Sequence, residues 1–281
     1  MKFKFLPTNL AIAVAIALTA RVSAHSNSLS ITEKLHLTEE LHETSGLVCH
    51  ADQIFTINDS GNAPAVFSLN ETGKIVDKIQ LAVPNIDWEA IDADDAYLYI
   101  ADTGNNHGNR QRVQVHKWNR QSGEVSSVSI AYKDNRFDRN IPYQHDYDVE
   151  AMVVHNGQLL LFTKSWRSGV ANVYQVDVEE KQQVVTPIAN IDGLPGVVTG
   201  AAWDSQRNVF LLVGYSGNAL TGYTPYLAQI SEQYKVQYTS ALSGLSQVEA
   251  ICIRADGEIW ITQEGSRTQP SKLIKLSLPS L

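Results

Sequence analysis

The pattern of hydrophobic and polar positions repeats one unit along the chain. Each unit has a small-residue start, an apolar strand, a polar turn, a second apolar strand and a loop that contains Gly. The clearest copies are DWEAIDADDAYLYIADTGNN from Asp87, DVEAMVVHNGQLLLFTKSWRSG from Asp148 and QVEAICIRADGEIWITQEGS from Gln247. Two weaker copies are ETSGLVCHADQIFTINDSGN from Glu43 and VVTGAAWDSQRNVFLLVGYSGN from Val197. Equivalent positions in successive copies lie 44, 61, 49 and 50 residues apart, so the chain contains five related units.

This repeat predicts an all-β fold, a five-bladed β-propeller. A period near 50 residues with several strands in each unit is typical of propellers. The first unit continues with two further strand patterns, AVFSLN and KIVDKIQLA, whereas the last unit has only three strands in all. We expect the pattern SITEKLHLTEE, which precedes the first unit, to be an N-terminal strand completing the last blade. A β-sandwich is the alternative for so many short strands, but it does not account for the fivefold repeat.

The beginning of the chain has the pattern of a secretory signal peptide, residues 1–24. Lys2 and Lys4 precede the apolar run LAIAVAIALTA, and the tripeptide VSA near its end is a small-residue cleavage signal. The apolar run is short for a membrane span, which makes a transmembrane anchor the less favoured alternative. We therefore expect residues 25–281 to form a single β-propeller domain that is periplasmic or secreted.

Charge and cysteine content limit the classes of partner. The formal net charge is -8 and no basic run occurs after the apolar segment, so neither nucleic acid nor a membrane is an expected partner. We expect a monomer that binds an anionic small molecule or a glycan. Cys49 and Cys252 lie on the first strands of the first and last units, which ring closure makes neighbours. They are either a disulfide, which an oxidising compartment permits, or two small buried thiols.

Acidic residues recur at one place in the repeat. The first strand of each propeller blade lines the central channel, so equivalent positions near its start form a ring around one axis. Several carboxylates in a narrow channel repel one another, and either protonation or a cation must relieve this repulsion. Oxygen ligands without His or Cys suit a hard cation, and we expect Ca²⁺. The alternative is that these acids face solvent or bind turn amides. The predicted metal ligands are Ser45, Glu89, Glu150, Thr199 and Glu249.

The loops after the second strand of each unit open at the same end as this ring. Asp59 and Asp102 are candidate general bases there. Cations and amides in the same loops are suited to binding an anion. The alternative is ordinary turn chemistry, because Asp, Asn, Ser and Gly dominate turns. The candidate substrate-binding residues are Arg110, Arg167, Asn105 and Asn106.

The longest spacing in the repeat contains an insertion, YKDNRFDRNIPYQHDY, on this same face. Its Tyr143, His145 and Tyr147 are candidates for contacting a ligand or for acting as a lid. For His145, a place on the surface is the simpler expectation.

Five blades and a central ring of Ser, Glu, Glu, a hydroxyl and Glu resemble the calcium-dependent apyrases, also called calcium-activated nucleotidases. The resemblance implies a Ca²⁺ ion held by the five ring residues, with Thr199 where that family usually has Ser, and Asp59 matching an acid of the first-blade loop. The segments DWEAI and LYIADTGNN also resemble segments of uncharacterised exported bacterial propellers, some of them of phytase-like or esterase-like type.

Three functions remain open at this point. The first is an exported Ca²⁺-dependent hydrolase that acts on a phosphoester or a phosphoanhydride. The second is a non-catalytic propeller that binds a ligand or a protein and uses calcium only structurally. The third is a lactonase or another carbohydrate hydrolase.

Overall fold

The computed structural model describes residues 29–218 and 220–278. The expected signal peptide, residues 1–24, lies outside the described residues. Within them, the regular elements are β-strands apart from one short 3-10 helix, Glu39–Leu41. In this part of the chain, no helix has the length and apolar content needed to span a bilayer. The prediction of an all-β fold is confirmed.

Twenty-one strands follow one another in the described chain. They are β1 (Ser30–His36), β2 (Thr44–His50), β3 (Gln53–Asn58), β4 (Ala65–Leu69), β5 (Ile75–Gln80), β6 (Trp88–Ala93), β7 (Tyr97–Asp102), β8 (Val113–Asn119), β9 (Val125–Tyr132), β10 (Val149–His155), β11 (Gln158–Thr163), β12 (Ala171–Val176), β13 (Gln182–Val185), β14 (Pro187–Ile191), β15 (Val197–Asp204), β16 (Val209–Asn218), β17 (Gly222–Ser231), β18 (Val236–Ala241), β19 (Val248–Ile253), β20 (Ile259–Gln263) and β21 (Lys272–Ser277).

These strands form five small sheets arranged in a ring, which is a five-bladed β-propeller. The blades are β2 to β5, β6 to β9, β10 to β12 with β14, β15 to β18, and β19 to β21 with β1. Strand β13 pairs in parallel with β9 and adds a fifth strand to the second blade. The inner strands β2, β6, β10, β15 and β19 each pack against the next, and β19 packs against β2. The predicted fold is therefore confirmed.

The N-terminal strand completes the last blade, as the sequence predicts. Strand β1 pairs antiparallel with β21, from Ser30 opposite Ser277 to His36 opposite Lys272. The first blade and the last blade are also joined by a disulfide between Cys49 of β2 and Cys252 of β19, whose Cα atoms lie 5.4 Å apart. Both closures act at the same seam of the ring.

The apolar core lies between neighbouring blades. The second strand of each blade is buried along most of its length, because another blade covers each of its faces. This explains their continuous apolar runs, such as LLLF in β11. Trp88 fills the space between the first and second blades, and Trp260 fills the space between the last and the first. The residues of the inner strands line the channel on the propeller axis.

Candidate functional site

Every inner strand carries a β-bulge at the same place. In the first blade, Thr44 pairs with Asn58 and Gly46 pairs with Ile57, so Ser45 is an extra residue without a partner across the strands. The register shifts in the other four blades in the same way. A bulge re-aims the side chain of the extra residue. The five extra residues are the predicted ring residues, namely Ser45, Glu89, Glu150, Thr199 and Glu249.

The five residues line one small space on the propeller axis together with apolar residues that follow them on the inner strands, such as Leu47 and Met152. Its volume is about 10 Å³, which is close to the volume of one water-sized sphere. Each of the five residues is more than nine-tenths buried. The structure therefore brings the predicted metal ligands together around a space that accommodates one small species.

Hydroxyl groups hold the strands on which the ring glutamates lie. Each hydroxyl donates a hydrogen bond to a backbone carbonyl of the next blade, and that carbonyl directly precedes a glutamate. The hydroxyl protons are therefore used, while the oxygen lone pairs remain able to accept or to bind a cation. The three bonds are Ser45 Oγ to Trp88 O at 2.8 Å, Thr103 Oγ1 to Val149 O at 2.9 Å and Thr199 Oγ1 to Val248 O at 2.6 Å.

The ring disfavours three ionised glutamates. Burial raises the pKa of Glu89 well above its usual range, and the nearby Glu150 carboxylate raises it further. Burial acts on Glu150 in the same direction, whereas the Lys164 ammonium, 2.7 Å away, favours its ionised form and lowers its pKa. Burial raises the pKa of Glu249 to about 7. The ring accordingly favours either bound protons or a further cation.

One oxygen of Glu150 has a partner and the other does not. Its Oε2 atom accepts a hydrogen bond from Lys164 Nζ at 2.7 Å. Its Oε1 atom is buried and has no hydrogen-bond partner among the described residues. A buried carboxylate oxygen without a partner is costly, so this atom remains able to accept a hydrogen bond or to bind a cation.

Lys164 is the residue of this site that the sequence reasoning did not place at the ring. Its side chain is only 7% exposed, and its ammonium lies 4.8 Å from the Trp166 ring centre and 5.6 Å from that of Tyr215. Burial lowers the pKa of Lys164, but the Glu150 carboxylate, Tyr215 and Glu249 outweigh this effect and hold the pKa well above its usual range. Lys164 is therefore a buried, charged ammonium beside the ring.

Lys164 belongs to a second tier of equivalent residues. In each blade, the residue just before the bulge pairs with a residue of the second strand. The tier member is the residue that directly follows this partner. In the second blade that partner is Asp102, so Thr103 rather than Asp102 is equivalent to Asp59. In the first three blades the tier residue lies 14 residues after the ring residue, and this spacing would have revealed the tier there from the sequence. Its members are Asp59, Thr103, Lys164, Tyr215 and Glu264.

A second acidic cluster adjoins the ring in the first two blades. Asp59, Asp87 and Glu89 each offer a carboxylate oxygen, and these oxygens lie within 4.8 Å of one another. Burial raises the pKa of Asp59, and burial together with the Asp59 carboxylate raises that of Asp87 to about 6. Gly104 packs over the cluster, where a Cβ atom would overlap the carboxyl groups of Asp87 and Glu89. The absence of a side chain at position 104 therefore lets the loop approach the acids.

Asp102 and Arg110 form an ion pair behind this cluster rather than in the cavity. Asp102 is fully buried, and its Oδ1 atom accepts hydrogen bonds from Arg110 Nη2 at 2.8 Å and from the Asp87 amide at 3.1 Å. Burial raises the pKa of Asp102, but the His116 ring, whose Nε2 atom lies 3.6 Å from Asp102 Oδ2, and the Arg110 charge outweigh burial and lower it. Arg110 also donates to the Gly104 carbonyl at 2.7 Å. The pair thus fixes the backbone that carries the acids.

A cavity of about 260 Å³ opens above the ring. Asp59 and Asn106 line it, whereas Asn105 is buried in the loop, and its backbone N–H donates to Asp148 Oδ1 at 2.6 Å. Arg167 lies outside, with a side chain that is 75% exposed and a guanidinium 4.0 Å from Asp146. Among the described residues that line this cavity, Lys164 is the one cation. The sequence-predicted candidates are thus divided between the cavity, its supporting loop and the surface.

Aromatic side chains form the upper walls of the cavity. Tyr143 of the insertion packs edge-on against Trp166, with ring centres 5.4 Å apart. Tyr215 packs edge-on against Tyr223, with ring centres 4.8 Å apart. Tyr143 has a left-handed backbone, φ +57, and its amide donates to the Asn106 carbonyl at 2.9 Å. The insertion therefore brings an aromatic ring to the cavity mouth. The expectation of a surface position for His145 is wrong, because His145 is buried beside this loop.

When the chain is compared with known proteins, no family model and no curated protein matches it.

Proposed function

We propose that the protein is an exported calcium-binding hydrolase that acts on a phosphoester or a phosphoanhydride. The observation that carries the proposal is the unpartnered, buried Oε1 atom of Glu150 in a ring of oxygen donors around a space for one small species. Three ionised ring glutamates would face a single ammonium, and a divalent cation in place of protons would balance that excess of negative charge.

The donor set fits calcium. Carboxylates and hydroxyls are hard oxygen ligands of the kind that Ca²⁺ binds, and neither His nor Cys contributes to the ring. Glu89, Glu150 and Glu249 would hold the ion, with Ser45 and Thr199 offering oxygen lone pairs. Bound calcium would neutralise negative charge that develops on a phosphoryl group.

The chain's own residues supply the remaining functions at the cavity. Asp59 is part of the cavity wall, and its raised pKa suits a group that accepts a proton from water. Asn106 can donate a hydrogen bond to a ligand oxygen from the same wall. The aromatic pairs at the mouth exclude water from one side of a bound ligand. The disulfide supports export, because it is compatible with an oxidising compartment.

A non-catalytic binding function is the second candidate, and the aromatic mouth favours it. Tyr143, Trp166 and Tyr223 present ring edges and faces around a 260 Å³ opening, as a site that stacks a sugar ring would. In that case calcium would only fix the ring, and the ligand would be retained without being turned over.

Thermal unfolding with calcium and with chelator tests the metal directly. Calcium should raise the melting temperature, because it binds only the folded state, and Glu150→Gln should remove most of that increase. Glu124→Gln, which changes an exposed residue in the β8–β9 turn, is the matched control. An unchanged melting curve after full chelation would contradict the calcium site.

A substrate panel then separates the two candidates. The calcium-loaded protein should hydrolyse members of a phosphoester and phosphoanhydride panel, and Glu89→Gln should lose turnover while remaining folded. Absence of turnover on all of them, together with retention of a glycan ligand, would favour the binding propeller.

A further inference from the structure

We infer that Lys164 is an internal cation that calcium displaces from Glu150, and that the displaced ammonium then binds the anionic group of the substrate in the cavity above. The inference rests on the proposed function, since it assigns to one residue the link between the metal and the ligand.

The position of Lys164 is that of a tethered counter-ion. Its Nζ atom lies 2.7 Å from Glu150 Oε2, on a side chain that is 7% exposed. The ammonium thus reduces the negative charge of the ring when no metal is present. It uses one carboxylate oxygen of Glu150 and leaves the other without a partner among the described residues.

A divalent cation in the ring would compete with this ammonium. Glu150 lines both the axial space of about 10 Å³ and the cavity above it. An ion bound in the axial space would take over the Glu150 charge and would repel a neighbouring ammonium at short range in a dry environment. Calcium binding would therefore break the pair between Lys164 and Glu150.

The cavity provides a place for the released ammonium. Lysine carries its charge on a flexible stem of four carbons, and Lys164 already lines the 260 Å³ cavity. The rings of Trp166 and Tyr215 flank its path and favour a cation near their faces. The released group would meet a ligand without leaving the cavity.

Other cations of this end of the propeller are unsuited to the task. Arg110 is engaged with Asp102 and the Gly104 carbonyl behind the cavity wall. Arg167 is exposed beside Asp146. The remaining charged walls of the cavity are acidic, and these would repel an anion. Among the described residues, Lys164 is thus the cation that can bind a phosphoryl oxygen there.

This exchange couples the two ligands. Calcium would make Lys164 available to the anion, and the anion, by removing the ammonium from competition, would strengthen calcium binding by the same factor. Metal-free protein should not bind a phosphoryl group in the cavity.

Calorimetric titrations of the full chain test the exchange. The probes are calcium alone and methylphosphonate, which carries a phosphoryl group but no ester to hydrolyse. Wild type should bind methylphosphonate only in calcium. Lys164→Met should bind calcium about tenfold more tightly, because the competing ammonium is gone, and should bind methylphosphonate at least about tenfold more weakly. Lys235→Met, in an exposed turn, controls for net charge and should match wild type.

Two results would overturn the inference in distinguishable ways. If wild type binds calcium but Lys164→Met leaves both affinities unchanged, the inference fails and the proposed calcium site stands. If wild type binds no calcium, both fail.

Acetylation of wild-type protein gives a measurement that does not depend on the folding of a variant. Mass spectrometry should find Lys164 acetylated about tenfold faster in calcium than in chelator, relative to Lys235, since loss of the pair with Glu150 exposes the side chain and lets it form the neutral amine that reacts. Methylphosphonate should slow the reaction again. A rate that calcium leaves unchanged would contradict the exchange.

Discussion

At the scale of single residues, the ring depends on the residue next to each bulge as well as on the bulge itself. The residue directly after the bulge in every inner strand is Gly or Ala. A Cβ at Gly46 would lie 2.9 Å from the Ile91 amide, and one at Gly200 would lie 2.9 Å from the Cα of Ala250. Small residues therefore let neighbouring inner strands approach closely enough for a hydroxyl of one blade to bind a carbonyl of the next.

Asp102→Asn should destabilise the protein strongly, because it leaves the Arg110 guanidinium without its charged partner in a mostly buried place. Breaking a buried pair in this way costs about 3–5 kcal/mol. Urea unfolding measures the loss, and Asp95→Asn, at a fully exposed side chain, should stay close to wild type. Turnover per folded molecule should fall less than it does for Glu89→Gln. A stable Asp102→Asn protein without turnover would instead favour Asp102 as a catalytic base.

The positions of Asp102 and Thr103 show where sequence reasoning succeeds and where it fails. The repeat predicted all five ring residues, because the bulge falls at the same step of the pattern in every blade. It did not predict the second tier, since a shift of one residue in a loop moves a side chain to the other face of its strand. Asp102, the last residue of its strand, therefore points into the blade.

At the scale of elements, strand β1 has two functions, because it completes the last blade and also leads directly into the first. Its pairing could be predicted from the strand count alone. Strand β13 could not, because QQVV is short and pairs with β9 in parallel, outside the repeating antiparallel order. Arg112 fixes this addition by donating to the Ser129 and Gln183 carbonyls at 2.8 and 3.2 Å.

Deleting β1, Ser30–His36, should lower stability and expose an edge of the last blade. The free edge of β21 would present unpaired backbone groups, which favour association between copies. The deletion variant should therefore melt at lower temperature and elute as oligomers in size-exclusion chromatography. A peptide with the β1 sequence, added in excess, should partly restore the monomer, and a scrambled peptide should not. A stable monomeric deletion variant would contradict this account.

At the scale of the whole molecule, the acidic channel makes stability depend on pH. Burial raises the pKa of Glu249 to about 7 and that of Glu264 to about 8, from an ordinary value of 4.5. At pH values between the ordinary pKa and these raised pKa values, the folded state binds more protons than the unfolded state. The free energy of unfolding should therefore fall as pH rises. Urea unfolding in chelator should show this decrease between about pH 5 and pH 8.

Calcium should flatten this profile, since a bound cation replaces the protons. Its affinity should rise with pH because binding releases them. Glu249→Gln should reduce the slope in chelator. A stability that rises with pH throughout this window would contradict the protonated ring.

The disulfide and β1 hold the same seam of the ring, so their contributions should depend on each other. Cys49 and Cys252 are 203 residues apart, and a cross-link over so long a segment restricts the unfolded chain strongly. Cys49→Ala with Cys252→Ala should lower the free energy of unfolding by about 2–5 kcal/mol. Wild type in a strong reductant should give the same value.

Combining the cysteine substitutions with the β1 deletion should cost more than the sum of the two separate losses. Either closure alone keeps the first and last blades together, whereas removing both leaves only packing at the seam, and changes that share one contact are not additive. Urea unfolding of the four proteins gives the coupling energy. Strict additivity would contradict this coupling and show that the two closures act independently.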